Sequence, residues 1–325
     1  VSFSTRLTQL FATRHPILAG GLQWLADPVY VAAASRAGSL GFLTAASYAD
    51  TPSLQDAIRR CRDLSDGHFG VNISMLPKLV EGERTGEVVQ TIIAEKVPFV
   101  ETSGRNPQAF LPALHDAGCK IIHKVPTIRH AVKAQSVGVD AVSIVGAECG
   151  GHPGMEMVGS FVQNALAARS LHIPFAVGGG IGHGSQIAAA LAMGADGVVI
   201  GTRFLVAEEI WAAQAYKNRL VAMTETDTTL VLQSLRNTCR VMANQTTRIV
   251  QDLERQGADL ATLMPHITGK LGRLAYETGD VSQGLLSAGQ AVAFIDQIAP
   301  LAQIVAELVA QAEQAMARLN SLSVP

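Results

Sequence analysis

The chain has 325 residues, of which 48% are hydrophobic and only 16% charged, with a formal net charge of −2. That length admits one large barrel with an appendage or two ordinary domains, and the low charged fraction suits parallel strands covered on both faces. A near-neutral balance provides no basic field for nucleic acid or an anionic membrane, and no apolar run reaches the ~18 residues of a membrane span. Four scattered cysteines (Cys61, Cys119, Cys149, Cys239) without a CxxC pair argue against disulfides and structural zinc. The first residues carry no signal-peptide pattern, so a cytoplasmic location is expected, with no nucleic-acid partner and no membrane insertion.

The first strand-like run, residues 15–21, leads into Gly20-Gly21-Leu22-Gln23, and Asp27-Pro28 then places a capping side chain before a proline, as a helix start prefers. Gly38 closes that helix and a second run, 40–46, follows at once. Runs at 69–76 and 99–104 come next, the latter before Asn106-Pro107, another capped helix start. Gly118 precedes 120–125, Gly138 precedes 141–146, a run at 175–180 follows, and Gly194 precedes 197–202. Glycine just past a helix end supplies the left-handed backbone that stops it, and short connections bring in the next strand within a few residues. Eight strands alternating with helices imply parallel pairing through right-handed crossovers, and eight units point to a closed (β/α)8 TIM barrel. An open doubly wound sheet would carry GxGxxG at its first turn, which Gly20-Gly21-Leu22-Gln23-Trp24 lacks.

Beyond the eighth strand the pattern changes. Residues 208–285 show helical periodicity, many Thr, Gln, Asn and Arg residues and no strand-like run, which predicts an all-α insertion over the barrel mouth. Residues 286–325 return to an amphipathic helix that closes the barrel, so 1–207 and 286–325 form one unit and 208–285 its cover. A smaller excursion is expected at 77–85, between the third strand and its helix.

In such a barrel the reacting groups sit at the C-terminal strand ends. Gly178-Gly179-Gly180 ends strand seven and Gly201-Thr202 ends strand eight, the two loops where barrels bind phosphate through close backbone N–H groups. Gly20-Gly21-Leu22-Gln23 after strand one would let backbone press on a flat ring, though a plain turn explains it equally. Alternation on strand five puts Lys120, Ile122 and Lys124 on one face and His123 on the other, so Lys124 can hold an anion at the mouth or stand solvated. Asn72 and Ser74 on strand three offer short polar groups to a ligand edge or satisfy the strand end. After strand six, Glu148-Cys149-Gly150-Gly151-His152-Pro153-Gly154 presents an imidazole that can accept a proton near neutral pH. Cys149 as a nucleophile, and Glu148 with His152 as metal ligands, lack partners in the sequence, so no metal is expected.

At these residues the chain resembles the nitronate monooxygenase family, formerly called 2-nitropropane dioxygenases. The likeness runs through His15-Pro16-Ile17 with Gly20-Gly21, Phe69-Gly70-Val71-Asn72, the run Glu148 to Gly154, Gly179-Gly180-Ile181, Gly194-Ala195-Asp196, Gly201-Thr202-Arg203-Phe204 and Ser287-Ala288-Gly289-Gln290. It implies a barrel binding FMN non-covalently, with phosphate at Gly178, Gly179, Gly180, Gly201 and Thr202 and the ring against Gly20, Gly21, Leu22 and Gln23. It further implies Lys124 at the pyrimidine end, smaller contacts from Asn72, Ser74, Val145 and Gly150, and His152 as the catalytic residue. Val145 departs from relatives with a polar residue there. The implied reaction is oxidation of an alkyl nitronate by O2 to a carbonyl compound and nitrite. Gly20-Gly21-Leu22-Gln23-Trp24, Ile122-His123-Lys124 and Ser234-Leu235-Arg236-Asn237-Thr238 are closest to a subgroup of NADH:quinone reductases, in which a proline loop, here Pro77, gates the site. That likeness brings in NAD(P)H and a quinone as alternative partners. A related branch of FMN-dependent enoyl-acyl-carrier-protein reductases shares the Gly-Gly-His run, a flavin-binding protein without turnover is a further class, and a homodimer is left open.

Overall fold

Short inward-facing apolar runs, each followed by a capped helix, close on themselves in the computed structural model, which describes residues 3–75 and 83–322. The strands are β1 (Ile17–Ala19), β2 (Leu40–Thr44), β3 (Gly70–Met75), β4 (Phe99–Gly104), β5 (Lys120–Val125), β6 (Ala141–Val145), β7 (Phe175–Gly178) and β8 (Gly197–Ile200). Each pairs in parallel with the next, and β8 pairs with β1, giving a closed eight-stranded (β/α)8 TIM barrel. The helices on its outside are α2 (Pro28–Arg36), α3 (Thr51–Ser65), α4 (Thr85–Ala94), α5 (Leu111–Asp116), α6 (Ile128–Val137), α7 (Ser160–Ser170) and α8 (Gly184–Ala192), after a leading α1 (Arg6–Phe11). Asp27 caps α2 by accepting from the N–H groups of Val29 and Tyr30, and Gly138 ends α6 at φ 98°. Strands β7 and β8 stop two residues short of 175–180 and 197–202. Gly179 and Gly180 already take φ of 94° and 75°, a backbone no ladder accepts.

Side chains alternate along each strand between the barrel interior and the helix layer. Inward positions near the strand starts (Leu18, Leu40, Phe42, Phe99, Ile122, Ala141, Ala176, Val199) form one apolar layer, plugged from below by Leu7 and Phe11 of α1. The Arg6 guanidinium clasps both oxygens of the Asp196 carboxylate at 2.9 and 2.7 Å, tying α1 to the connection before β8. Outward positions such as Val71, Val100, Ile121, Val142 and Val198 join the helices in the main core. His123 points outward, as the alternation on strand five predicts, and its Nδ1 lies 2.8 Å from the Thr102 hydroxyl.

The expected all-α insertion is corrected by the structure. A 3-10 turn (Thr202–Val206) and α9 (Gln214–Val221) are followed by an antiparallel hairpin, β9 (Thr228–Val231) with β10 (Cys239–Met242). Helices α10 (Gln245–Arg255), α11 (Leu260–Ile267) and α12 (Gly269–Thr278) come after it. Four-residue strands are too short to display alternation, and Arg240 sits buried in β10, so no apolar run marks it. The hairpin shares a small core with the helices through Val231, Cys239, Val241, Val250 and Leu263. Helix α13 (Leu301–Ser321) then packs on α8 and α2. Most of the excursion expected at 77–85, including Pro77, lies outside the described residues. Among the described residues no helix is long and apolar enough to cross a membrane.

Candidate active site

Above the apolar floor the barrel interior turns polar. Thr44, Asn72, Glu101 and Ser143 are all buried there. Asn72 Nδ2 donates to Glu101 Oε2 at 2.5 Å, and the Lys124 ammonium donates to the same oxygen at 3.0 Å. Ser74 Oγ donates to Asn72 Oδ1 at 3.1 Å. Glu101 Oε1 and Ser143 Oγ are buried without a hydrogen-bond partner among the described residues. Asn72 is therefore committed to the layer beneath the mouth, whereas Ser74 stands at its edge. Glu101 was not among the sequence candidates. Its signal was a carboxylate sharing the inward face with Phe99 on strand four, level with Asn72 in the ladder.

One residue further along most strands the chain becomes accessible. Gly21, Leu22, Lys124, Val145, Gly150, Gly179, Gly180, Gly201 and Thr202 are partly exposed and Ser74 and Gln23 exposed, while Gly20 and Gly178 are buried just below. A Cβ on Gly21 would stand 3.0 Å from Asn72 Cβ and 3.3 Å from Thr44 Oγ1, so the glycine lets loop one lie directly on the polar layer. The Leu22 carbonyl accepts from the Thr44 hydroxyl at 3.2 Å, which holds that loop down. Thr202 opens a 3-10 turn whose first N–H groups have no partner within the turn. Gln23 departs from the group, with its amide 3.4 Å from where a Cβ on Gly269 of α12 would lie. Trp24 next to it adopts φ 68° and carries the Arg273 guanidinium 5.4 Å from its ring centroid.

The run after β6 is held from three sides. The Glu148 carboxylate accepts from the Ser160 N–H at 3.0 Å and from its hydroxyl at 3.1 Å, capping α7, whose own N-cap residue is Gly159. A Cβ on Gly150 would come within 2.8 Å of Ala288 and Gly289 backbone, so only glycine fits against the Ser287-Ala288-Gly289-Gln290 segment. Gly151, at φ 81°, exchanges two backbone hydrogen bonds with Arg240 at 2.9 and 2.7 Å. Arg240 Nε also donates to the Ala147 carbonyl at 3.1 Å, and Gly289 N–H donates to Thr202 Oγ1 at 2.9 Å. The β9–β10 hairpin and the 287–290 segment thus tie the loop after β6 to the one after β8.

His152 ends this clamped run. Its imidazole makes no hydrogen bond among the described residues. Its side chain is exposed, yet crowding by the surrounding protein lowers its pKa below the usual histidine value. Burial pushes the Cys149 thiol up to about 12, too high for a thiolate nucleophile at neutral pH. With Glu148 spent on a helix cap, His152 is the titratable side chain of this run that no hydrogen bond among the described residues engages.

Two hollows are lined by other residues near the strand ends. One of about 250 Å³ sits between α8, the 3-10 turn and α13, where the buried Arg203 meets Asp296 and Glu307 at 3.6 and 3.4 Å. The other, about 500 Å³, borders Met75, Arg105 and Phe110. Neither is lined by the glycine loops or by His152.

A match to the nitronate monooxygenase family covers residues 4–311. A "(3aS,4S,5R,7aS)-5-hydroxy-7a-methyl-1-oxo-octahydro-1H-indene-4-carboxyl-CoA dehydrogenase" of Rhodococcus jostii (strain RHA1) is 34% identical over 70% of this chain and 62% of its own length, less than two thirds of that relative. A probable nitronate monooxygenase of Staphylococcus aureus (strain JH9) is 25% identical over 88% of this chain and 91% of its own. FabK from Thermotoga maritima superposes with a TM-score of 0.92 at 32% identity, covering 99% of this chain and 100% of that one. Nitroalkane oxidase from Streptomyces ansochromogenes gives 0.84 at 26% identity, covering 97% of this chain and 100% of that one. With this barrel, these strand-end loops and a match over almost its whole length, the chain belongs to the nitronate monooxygenase family of flavin-dependent oxidoreductases.

Proposed function

We propose that the chain binds FMN at the barrel mouth and oxidises alkyl nitronates with O2 to carbonyl compounds and nitrite, with His152 as its catalytic base. The observation that carries the reading is the exposed His152 imidazole at the end of a braced loop, which makes no hydrogen bond among the described residues and whose pKa is lowered toward the neutral form. The residues present fit FMN. Gly179, Gly180, Gly201 and Thr202 offer backbone N–H groups to a phosphate, and a Cβ on Gly201 would meet only Leu22 within 4 Å, so that side of the loop is open. Gly20, Gly21, Leu22 and Gln23 would flank the ring, with Lys124 at its pyrimidine edge and Ser74, Val145 and Gly150 around it. Asn72 would support the edge from below, through Ser74. Bound FMN supplies the electron transfer. The chain's own part is to orient the nitronate, exclude water, and take the α-proton of a neutral nitroalkane on the His152 imidazole. Residues 208–285 would cover the mouth, with the 228–242 hairpin bracing the loop after β6.

A second reading, NAD(P)H-driven reduction of a quinone or an enoyl thioester, draws support from the 34% identity to a carboxyl-CoA dehydrogenase. Anaerobic stopped-flow mixing separates the two. Flavin bleaching by a nitronate and not by NADH is expected. Rapid bleaching by NADH selects the reductase, and a spectrum that neither reagent changes rejects both.

A further inference from the structure

We propose that Glu101 is a positioning residue for the flavin reading above: it holds the Lys124 ammonium and cancels part of its charge, so that the pair sets how strongly the site favours reduced flavin. Glu101 lies in the barrel interior one layer above Phe42, Phe99 and Ile122, where water does not reach it. A carboxylate in that place is costly unless it is paired and hydrogen-bonded. The pairing it has is lopsided. Oε2 takes both donors, Asn72 at 2.5 Å and Lys124 at 3.0 Å, while Oε1 takes none among the described residues. A role in stability alone would be served better by an apolar residue continuing the floor.

Lys124 is the partly exposed member of the pair, so its other ammonium protons are available to a ligand at the mouth. Reduction places negative charge on the pyrimidine edge of a flavin. A bare ammonium there would favour the reduced form, and a carboxylate 3.0 Å behind it subtracts from that pull with little solvent screening. Asn72 then fixes the carboxylate, and Ser74 fixes Asn72, so the charge balance is held by a chain of side chains on β3, β4 and β5.

The test is spectroelectrochemical titration of the FMN-loaded native protein, Glu101→Gln and Lys124→Gln. Glu101→Gln keeps the shape and removes the opposing charge, so reduced FMN should gain about tenfold over oxidised FMN, a rise of about 30 mV for two electrons. Lys124→Gln keeps a donor to Glu101 and removes the cation, and should shift the balance about tenfold the other way. The second variant carries the test should the first fail to fold. An unchanged potential in a folded, flavin-loaded variant, a fall in Glu101→Gln, or a shift arising wholly from weaker binding of oxidised FMN overturns the inference and leaves the flavin reading standing. Native protein that binds no FMN overturns both.

Discussion

The two ends of one set of strands differ in what lines their interior. At the start of β2, β4, β5 and β8 the inward residues are Leu40, Phe99, Ile122 and Val199, sealed by Leu7 and Phe11 and tied by the Arg6–Asp196 ion pair. At the far end of the barrel the inward or loop groups are glycines, together with a carboxylate oxygen, a hydroxyl and a histidine ring that have no hydrogen-bond partner among the described residues. The lower end spends its residues on packing, and the upper end exposes glycine loops, Ser74, Lys124 and His152 above a buried polar layer. Changes at the floor should therefore cost stability, and changes at the mouth should cost activity.

The sharpest break of this contrast is His152→Ala. It should lower kcat/KM for a neutral nitroalkane by about 10²–10⁴, the usual worth of a general base, with FMN still bound and the urea midpoint unmoved. Because desolvation lowers the His152 pKa, the acid limb of the native profile should fall below pH 6.5, with activity lost as the imidazole protonates. Retained activity in the variant would reduce His152 to a loop residue. At the floor the opposite pattern is expected. Phe42→Ala removes a fully buried ring and should cost about 3–5 kcal/mol in chemical denaturation, while FMN-loaded protein at low temperature keeps its activity.

His123 serves the fold although it lies on the same strand as Lys124, because it points outward, buried beside Thr102. Burial lowers its pKa to about 4, so the unfolded chain takes up its proton first as pH falls. Stability present above about pH 6.5 should decline by about 3 kcal/mol on reaching pH 4, and His123→Leu should flatten that part of the curve. An equally steep curve in the variant would assign the acid loss elsewhere. The smallest effect expected is Gly201→Ala. Its φ is −115° and a Cβ meets only Leu22, at 3.5 Å, so stability should stay within about 0.5 kcal/mol. Affinity for FMN should nevertheless fall about tenfold, about 1.4 kcal/mol, because the methyl occupies the proposed phosphate approach. Unchanged affinity by fluorescence titration would move the phosphate away from this loop.

Much of this was legible from residue order alone. Helix-ending glycines such as Gly38 and Gly138, the capping pairs Asp27-Pro28 and Asn106-Pro107, and the eightfold alternation specify the barrel because each acts within a few residues of chain. The same locality put Gly178 to Gly180, Gly201, Thr202 and the Gly-Gly-His run at strand ends. The β9–β10 hairpin was not legible, because its four-residue strands gain their meaning from pairing with each other and from bridging Gly151 and Ser287. Nor were the uses of Glu148 and Glu101. Glu148 reaches twelve residues ahead to cap α7, and Glu101 meets Asn72 and Lys124 from neighbouring strands 29 and 23 residues away. The sequence by itself determined the eight barrel strands, their helices and the loops at the strand ends, since backbone conformation and alternation are local. Tertiary structure alone decided which polar groups are consumed by the fold and which stay free, because a hydrogen bond is settled by the partner that arrives from another strand.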